Sequence, residues 1–146
     1  MNLRHIEIFH AVYVSGSISA AARALGVSQP SVSKTLRHAE IGAGSGYLIA
    51  ALIDAGATQA VGYEVSEAQV EYARSMLGPG RVLRSPNEDV GSLLRGLDCQ
   101  AVSMIFSLEH VSDPGDVLQS LTQNPHIDYF YFAVPMLSAS ALMDSV

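Results

Sequence analysis

The sequence is short of cysteine, of long apolar runs and, over most of its length, of positive charge. Cys99 is the single cysteine, which excludes a disulfide within the chain and fits a reducing compartment. The longest apolar run, in residues 129–137, falls well short of the roughly 20 residues that a membrane-spanning helix needs. No apolar segment typical of a signal peptide follows Met1. We therefore expect a cytoplasmic protein with no membrane contact.

The scarce positive charge is concentrated at the start of the chain. Residues 1–40 contain four basic and two acidic side chains, whereas residues 41–146 contain four basic and twelve acidic ones. The chain as a whole carries a net charge of −6, and 49% of its residues are hydrophobic, which predicts a packed core. A contact with nucleic acid is therefore expected at the N-terminal end and nowhere else.

Three helical patterns separated by turn residues occupy the first forty residues. Apolar side chains recur at helical spacing in residues 3–13, Ser17 can cap a second helix, and Ser28 can cap a third. Val32 and Leu36 would face the core and leave a polar outer face. A helix-turn-helix uses such a face to reach base edges and phosphates in DNA. A small helical hairpin that never contacts DNA would show the same spacing.

The residue types are more specific than their spacing. Ser17-Ile18-Ser19, Ala21-Ala22 and Ser28-Gln29-Pro30-Ser31-Val32-Ser33 resemble the N-terminal domain of LysR-type transcriptional regulators. The resemblance covers residues 1–40 and implies that a winged helix-turn-helix binds the major groove of DNA. It assigns the DNA contacts to Gln29, Pro30, Ser31, Ser33, Lys34 and Arg37.

The sequence departs from that family after Glu40. Neither the wing nor the long dimerisation helix of LysR-type regulators follows. Two half-sites cannot be bound together without a dimer, so we expect DNA binding to be weak and sensitive to salt. The oligomeric state and the DNA operator stay open.

A glycine-rich loop and alternating strands and helices follow. Gly42-Ala43-Gly44-Ser45-Gly46 precedes an apolar helix, and such a loop lets a ligand approach the backbone. Strand patterns in residues 60–65, 101–106 and 129–134 alternate with helical ones, which predicts a Rossmann-like, doubly wound, mostly parallel sheet. Glu64 stands where an acid meets ribose hydroxyls in dinucleotide-type folds, although a solvated acid at a strand end would look the same.

Two motifs in this part of the sequence resemble those of a known family. Glu40 ahead of three alternating glycines, and Glu109-His110-Val111 after a later strand, resemble class I S-adenosylmethionine-dependent methyltransferases over residues 40–135. A Rossmann dehydrogenase is the competing interpretation, but the spacing G-x-G-x-G, rather than G-x-G-x-x-G, favours the methyltransferase. The resemblance implies transfer of a methyl group from S-adenosylmethionine to an oxygen or nitrogen of a small molecule. It places the cofactor against Glu40, Gly42, Gly44, Gly46, Glu64, Asn87, Glu88 and Ser107.

His110 is the candidate catalytic residue. It could accept a proton from the methyl acceptor, or it could hold a loop in place through its ring nitrogens. Methyl transfer from a sulfonium depends mainly on positioning, which favours the structural role. The other histidines show no spacing with Cys99 or the acids that would make a metal site.

The two resemblances conflict where they meet. A class I methyltransferase needs a buried strand directly before its glycine loop, but Lys34-Thr35-Leu36-Arg37-His38-Ala39 has one large aliphatic residue. We therefore expect a helix-turn-helix in residues 1–40 and, in residues 41–146, a methyltransferase-like domain that lacks its first strand and its C-terminal strands. The chain would be a fusion whose most favoured activity is weak DNA binding. The alternatives are a methyltransferase and an inactive recombinant of two partial modules.

Overall fold

A computed structural model of the chain describes residues 11, 14–15, 17–35, 37–85 and 89–135, without the side chains of residues 33–35. Among these residues are six α-helices, one 3₁₀ helix and five strands in a single sheet. No helix among them is long and apolar enough to cross a membrane. In chain order the elements are α1 (Ile18–Leu25), α2 (Gln29–Thr35), β1 (Arg37–Ile41), α3 (Tyr47–Asp54), β2 (Gln59–Glu64), α4 (Glu67–Leu77), β3 (Val82–Arg84), α5 (Val90–Gly96), β4 (Ala101–Ile105), the 3₁₀ helix (Leu108–His110), α6 (Pro114–Gln123) and β5 (Tyr129–Ala133).

The sheet has the order β3-β2-β1-β4-β5, and every described pairing in it is parallel. The predicted α/β class and doubly wound sheet are confirmed. β1 lies at the centre, where the strand order reverses direction. Open α/β sheets bind ligands beyond the carboxyl ends of the strands at such a switch point.

The expectation that the first strand of the sheet is missing is wrong. α2 ends at Thr35 and β1 begins at Arg37, so a helix and a strand both fit into the contested segment. β1 pairs with β2 from Arg37↔Gln59 to Ile41↔Tyr63, and with β4 from His38↔Ala101 to Glu40↔Ser103. β1 also runs across the expected domain boundary at residue 40.

A central strand with few aliphatic residues is possible here because its two faces differ. Ala39 and Ile41 belong to an apolar cluster on one face. His38 and Glu40 alternate with them and are therefore on the other face, where both are buried. His38 Nε2 lies 2.9 Å from Ser103 Oγ on β4, so this buried ring has a hydrogen-bond partner. A search for a Val/Ile/Leu run misses a strand in which only one face is apolar.

The helix-turn-helix shares its core with the sheet. Ile18 and Ala22 of α1 and Val32 of α2 belong to the same buried cluster as Ile49 of α3 and Ala60 of β2. The backbone N–H of Ile18 also donates to the carbonyl oxygen of Ala55, just after α3, at 3.1 Å. Helices α1 and α2 are therefore packed against the sheet and α3 as part of the α/β body.

The predicted capping and turn residues of the helix-turn-helix are confirmed. Ser17 Oγ accepts a hydrogen bond from the N–H of Ala20 at 3.3 Å and caps α1. Gly26 ends α1 in the left-handed region with φ 64°, which glycine adopts at little cost. Ser28 follows the turn, and its carbonyl oxygen accepts from the N–H of Ser31 at 3.0 Å as α2 begins.

Candidate cofactor site and DNA-facing helix

A cavity of about 400 Å³ lies at the carboxyl ends of the central strands. Gly42 and Gly44 line it from the loop after β1, Glu64 lines it from the end of β2, and Phe106 and Ser107 line it from the segment after β4. The sequence reasoning placed four of these five residues at a cofactor. Because parallel strands deliver their carboxyl ends to one edge, residues far apart in sequence converge here.

Contacts to β2 and to Ser107 shape the glycine loop. The N–H groups of Gly42 and Ala43 both donate to the carbonyl oxygen of Tyr63, at 2.8 and 3.0 Å. Gly42 has φ 76°, and a Cβ at this position would lie 2.5 Å from the Cβ of Ser107. The residue must be glycine both for its backbone conformation and for its contact with Ser107.

Gly44 and Gly46 also lie in the left-handed region, with φ 54° and 80°. Gly46 is the N-cap of α3, and a Cβ there would meet Leu77 and Val82 at 3.0 Å. Gly44 faces the cavity and Gly46 faces the core, so the alternating glycines have different tasks.

The carboxylate of Glu64 is fixed by three backbone N–H groups. Oε2 accepts from Gly44 at 2.7 Å, and Oε1 accepts from Val65 and Ser66 at 2.8 Å each. The side chain is buried and lines the cavity. The carboxylate is therefore held by the backbone at the cavity edge, whereas a solvated acid at a strand end would have water as its partner.

Glu40 is a buried carboxyl group with an unsatisfied oxygen. The residue is 5% exposed, and its Oε2 has no hydrogen-bond partner among the described residues. Burial foremost, and the negative charge of Glu64 second, raise the pKa of Glu40 to about 7. A buried acceptor without a donor is costly, so a bound group that supplies a positive charge would suit this position.

Ser107 and His110 lie on the opposite side of the cavity from β2. Ser107 Oγ donates to the carbonyl oxygen of Ile41 at 2.8 Å, which ties the end of β1 to the segment after β4. The neighbouring Phe106 is the only described residue other than glycine with positive φ, at 52°. His110 ends the 3₁₀ helix and lines the cavity, and its N–H donates to the carbonyl oxygen of Ser107 at 3.1 Å.

Three aspartates complete the wall, and the sequence reasoning missed them. Asp89 caps α5 by accepting from the N–H of Ser92 at 2.7 Å, and Asp113 caps α6 by accepting from that of Asp116 at 3.0 Å. The Ser92 hydroxyl and N–H lower the pKa of Asp89. Asp116 pairs with Arg95 at 3.1 Å. An aspartate before a helical pattern is a capping signal, but nothing in the sequence shows that both caps face one cavity. Asn87 and Glu88, the residues expected near adenine, lie outside the described residues.

The start of α2 presents the expected polar face. Gln29, Pro30 and Ser31 are exposed, whereas Val32 is buried in the shared core. The hydroxyls of Ser28 and Ser31 lie 2.7 Å apart. The side chains of Ser33 and Lys34 are not among those that the structure describes.

Arg37 does not lie on the recognition helix, which corrects the expectation. It is the first residue of β1, because α2 ends two residues earlier. Its guanidinium pairs with Asp98, and its Nε donates to Gln100 Oε1 at 3.2 Å. Both partners belong to the segment before β4, so the side chain is already engaged in the α/β body.

Comparison with known families agrees with this geometry. The family model described as "Methyltransferase domain" matches residues 39–123, which is more than half of the chain. The chain belongs to the methyltransferase domain family. The model described as "Bacterial regulatory helix-turn-helix protein, lysR family" matches residues 3–45. The two matches overlap across the end of β1 and the glycine loop.

Curated relatives are similar only to the N-terminal part. The HTH-type transcriptional regulator DgcR of Pseudoalteromonas sp. is 71% identical over 41 residues, which are 28% of this chain and 14% of that protein. The transcriptional activator protein LysR of Escherichia coli (strain K12) is 58% identical over 40 residues, which are 27% of this chain and 13% of that protein. The matched part is thus about one seventh of the curated relatives.

Solved structures are similar to the α/β body. An S-adenosylmethionine dependent methyltransferase from Mesorhizobium loti superposes with a TM-score of 0.54 at 20% identity, over 68% of this chain and 46% of that one. The YcgJ protein from Bacillus subtilis superposes with a TM-score of 0.55 at 16% identity, over 75% of this chain and 48% of that one. The chain spans about half the length of these proteins, and at such identities the likeness shows the fold alone.

Proposed function

We propose that the cavity binds S-adenosylmethionine and that the α/β body is a methyltransferase acting on a small molecule. The observation that carries the proposal is the carboxylate of Glu64, which is held by backbone N–H groups at the cavity edge and faces the glycine loop. Membership in the methyltransferase domain family supports it. A preorganised acid beside a loop without side chains suits a ligand with a ribose that lies close to the backbone.

Each site residue then has a task that its position permits. Glu64 accepts from ribose hydroxyls, since its three N–H donors fill only part of the capacity of two carboxylate oxygens. Gly42 and Gly44 let the ligand approach the backbone, and Gly46 closes the loop onto α3. Ser107 keeps this loop against the segment after β4. When bound, the cofactor supplies a methyl group already activated on a sulfonium.

The remaining assignments concern the ends of the ligand and the methyl acceptor. Glu40 would favour the positively charged methionine end, and Asn87 and Glu88 would lie near adenine. His110 lines the cavity and would accept the proton that an oxygen or nitrogen acceptor loses, or else would orient the 3₁₀ helix. The protein contributes chiefly by holding acceptor and donor in line.

Isothermal titration calorimetry with S-adenosylmethionine tests the proposal. Glu64→Ala should weaken binding by at least about tenfold, because at least one charge-assisted hydrogen bond to ribose is lost. Glu67→Ala is the matched control, since Glu67 is exposed and pairs with Arg84 outside the cavity. No heat in the parent protein, or equal weakening by the two variants, would contradict cofactor binding at this site.

We also propose DNA binding through α2. The observation that favours it is the exposed face of Gln29, Pro30 and Ser31 at the start of a helix-turn-helix. These residues belong to the segment that is 71% identical to a transcriptional regulator. Ser33 and Lys34 would add a polar and a phosphate contact. With a strongly acidic body behind this face, the affinity should be low and should fall further with salt.

Fluorescence anisotropy of a labelled duplex at low salt tests the second proposal. Lys34→Ala should weaken binding and flatten its salt dependence, because one phosphate contact is lost. Arg37→Ala is the control and should change neither, since Arg37 pairs with Asp98 in the α/β body. Absence of binding by the parent protein would remove the DNA proposal. If the protein binds neither S-adenosylmethionine nor DNA, the remaining alternative is an inactive recombinant of two partial modules.

A further inference from the structure

We infer that Glu40 makes the cofactor site selective for the charge of its ligand: the cationic sulfonium form binds with release of a proton from Glu40, and the neutral thioether form binds without it. This inference rests on the proposed function. The ligand chemistry is that of an adenosyl sulfonium compound compared with the adenosyl thioether that remains after methyl transfer. Glu40 would act on the charge of the ligand through its position behind the glycine loop.

The geometry places a second carboxyl group beside Glu64 with nothing to neutralise it. Glu40 does not itself line the cavity, but it directly precedes Ile41 and Gly42, which do, and Glu64 ends the adjacent strand. Glu64 has three N–H donors, whereas Glu40 Oε2 has no partner among the described residues. The two acids thus differ in what stabilises their negative charge, and only Glu40 depends on a ligand for it.

The other groups that face Glu40 provide no positive charge. His38, two residues earlier on the same face of β1, is buried and bonds to the Ser103 hydroxyl of β4, and burial lowers its pKa to about 4. The helices on this face contribute apolar residues such as Ile49 and Val32 to the cluster beneath the loop. In the free protein, burial and Glu64 raise the pKa of Glu40 to about 7.

No described residue that lines the cavity is a lysine or an arginine, whereas Glu64 and three aspartates line it. Arg95, outside the lining, pairs with Asp116 and Asp89 but with neither glutamate. A bound sulfonium is therefore the cation that this end of the site lacks. Its charge favours the ionised form of Glu40, and Glu40 loses its proton to solvent as the ligand binds. The thioether has the same ammonium and carboxylate groups but no charge on sulfur, so it leaves the carboxyl group of Glu40 protonated.

Calorimetry of the full chain in buffers with different ionisation enthalpies tests the inference, with S-adenosylmethionine and S-adenosylhomocysteine as the probes. At pH 6, binding of S-adenosylmethionine should release up to about one proton more than binding of S-adenosylhomocysteine. This difference should vanish near pH 8.5, where Glu40 is already ionised. The affinity for S-adenosylmethionine should rise by up to about tenfold per pH unit below the pKa of Glu40 and then level off. The affinity for S-adenosylhomocysteine should stay nearly constant.

Two variants make the result specific. Glu40→Gln should abolish the difference in proton release between the two ligands, whereas Glu71→Gln on the exposed face of α4 should preserve it. If both ligands bind the parent protein with the same proton release at pH 6, the inference is overturned while the proposed function stands. If neither ligand binds, the proposed function fails, and the inference fails with it.

Discussion

Gly42 and Gly80 have nearly the same backbone conformation but different surroundings. Their φ angles are 76° and 83°. A Cβ on Gly42 would lie 2.5 Å from the Cβ of Ser107, whereas a Cβ on Gly80 would meet nothing within 4 Å. The pair therefore separates the cost of a left-handed backbone from the cost of crowding at the cofactor loop.

Gly42→Ala should destabilise the protein more than Gly80→Ala. Both variants carry the left-handed penalty of about 1–2 kcal/mol, and only Gly42→Ala adds overpacking of about 1–3 kcal/mol. Urea unfolding followed by circular dichroism measures both losses. Ser107→Gly should recover part of the Gly42→Ala loss. Equal losses at the two positions would show that Ser107 does not restrict the loop.

Glu40 and His38 give the folding stability opposite dependences on pH. Glu40 has a folded pKa of about 7, above its ordinary value of 4.5, so its contribution is present below pH 4.5 and is lost as pH rises through 7. His38 has a folded pKa of about 4, below 6.5, so its contribution is present above pH 6.5 and is lost as pH falls through 4. Between about pH 4.5 and 6.5 the two slopes oppose each other.

In Glu40→Gln, the pH dependence of folding stability that comes from His38 should remain without the opposing contribution of Glu40. Relative to the parent protein, the variant should gain about 3 kcal/mol of unfolding free energy as the pH rises from 4.5 to above 7, because the burial of an ionised carboxylate is avoided. Urea unfolding at half-unit steps of pH measures this difference. A buried amide without partners can lower the stability of the variant, but by an amount independent of pH. Parallel curves for variant and parent would contradict the shifted pKa.

At the scale of elements, the side chain of Asn124 joins helices α5 and α6. Asn124 ends α6 and is buried, and its Nδ2 donates to the carbonyl oxygens of Leu94 and Leu97 at 2.7 and 2.8 Å. These carbonyls lie at the C-terminal end of α5, where backbone carbonyls lack the usual helical donors; that of Leu94 also accepts from the N–H of Leu97 at 3.3 Å. The N-caps of α5 and α6 and the first turn of α6 provide three acids that line the cavity, so this contact also supports the site.

Asn124→Ala should therefore destabilise the protein by about 1–3 kcal/mol, because the carbonyl oxygen of Leu97 loses its donor and that of Leu94 keeps only the N–H of Leu97. Gln123→Ala is the control, since Gln123 is the adjacent, exposed residue of α6 and its loss should cost little. Thermal unfolding of both variants checks the difference. A loss as small for Asn124→Ala as for Gln123→Ala would mean that other groups satisfy these carbonyls.

At the scale of the whole molecule, the shared core decides whether the helix-turn-helix and the sheet unfold together. Val32 of α2 is fully buried in the cluster that includes residues of α3, β2 and α4. Only Leu36 separates α2 from the central strand. We expect one cooperative transition for the body that contains α1, α2 and the sheet.

Val32→Ala should lower the stability of the entire body by about 1–3 kcal/mol, because a cavity forms in the common core. Val14→Ala is the matched control, since Val14 is 69% exposed and its truncation should change stability little. Native-state hydrogen exchange would show whether amides in β2 and β4 lose protection together with those in α2. Loss of protection confined to α1 and α2 would mean that the helix-turn-helix is an independent unit.

The sequence by itself determined the helix-turn-helix, the alternation of strands and helices after the glycine loop, and part of the candidate site. Helical spacing with Ser17 predicted α1 and its start, and alternating strands and helices predicted the parallel sheet. The glycine loop and Glu64 were both predicted to contact a cofactor, from the spacing of an acid after such a loop in dinucleotide-type folds and from the resemblance to methyltransferases. These features depend on local preferences and on periodicity, which a sequence displays directly.

Only the tertiary structure decided the identity of the central strand. Local propensity favoured a longer recognition helix, yet Arg37–Ile41 pairs with β2 on one side and β4 on the other. Pairing on both sides satisfies the backbone of a short segment whose side chains look unsuitable for a core, and Ser103 satisfies His38. Because of the same pairing, Arg37 belongs to β1 rather than to α2, and Glu40 is buried on the strand adjacent to the one that ends at Glu64. Non-local pairing outweighed local preference because strand partners lie far away in the sequence.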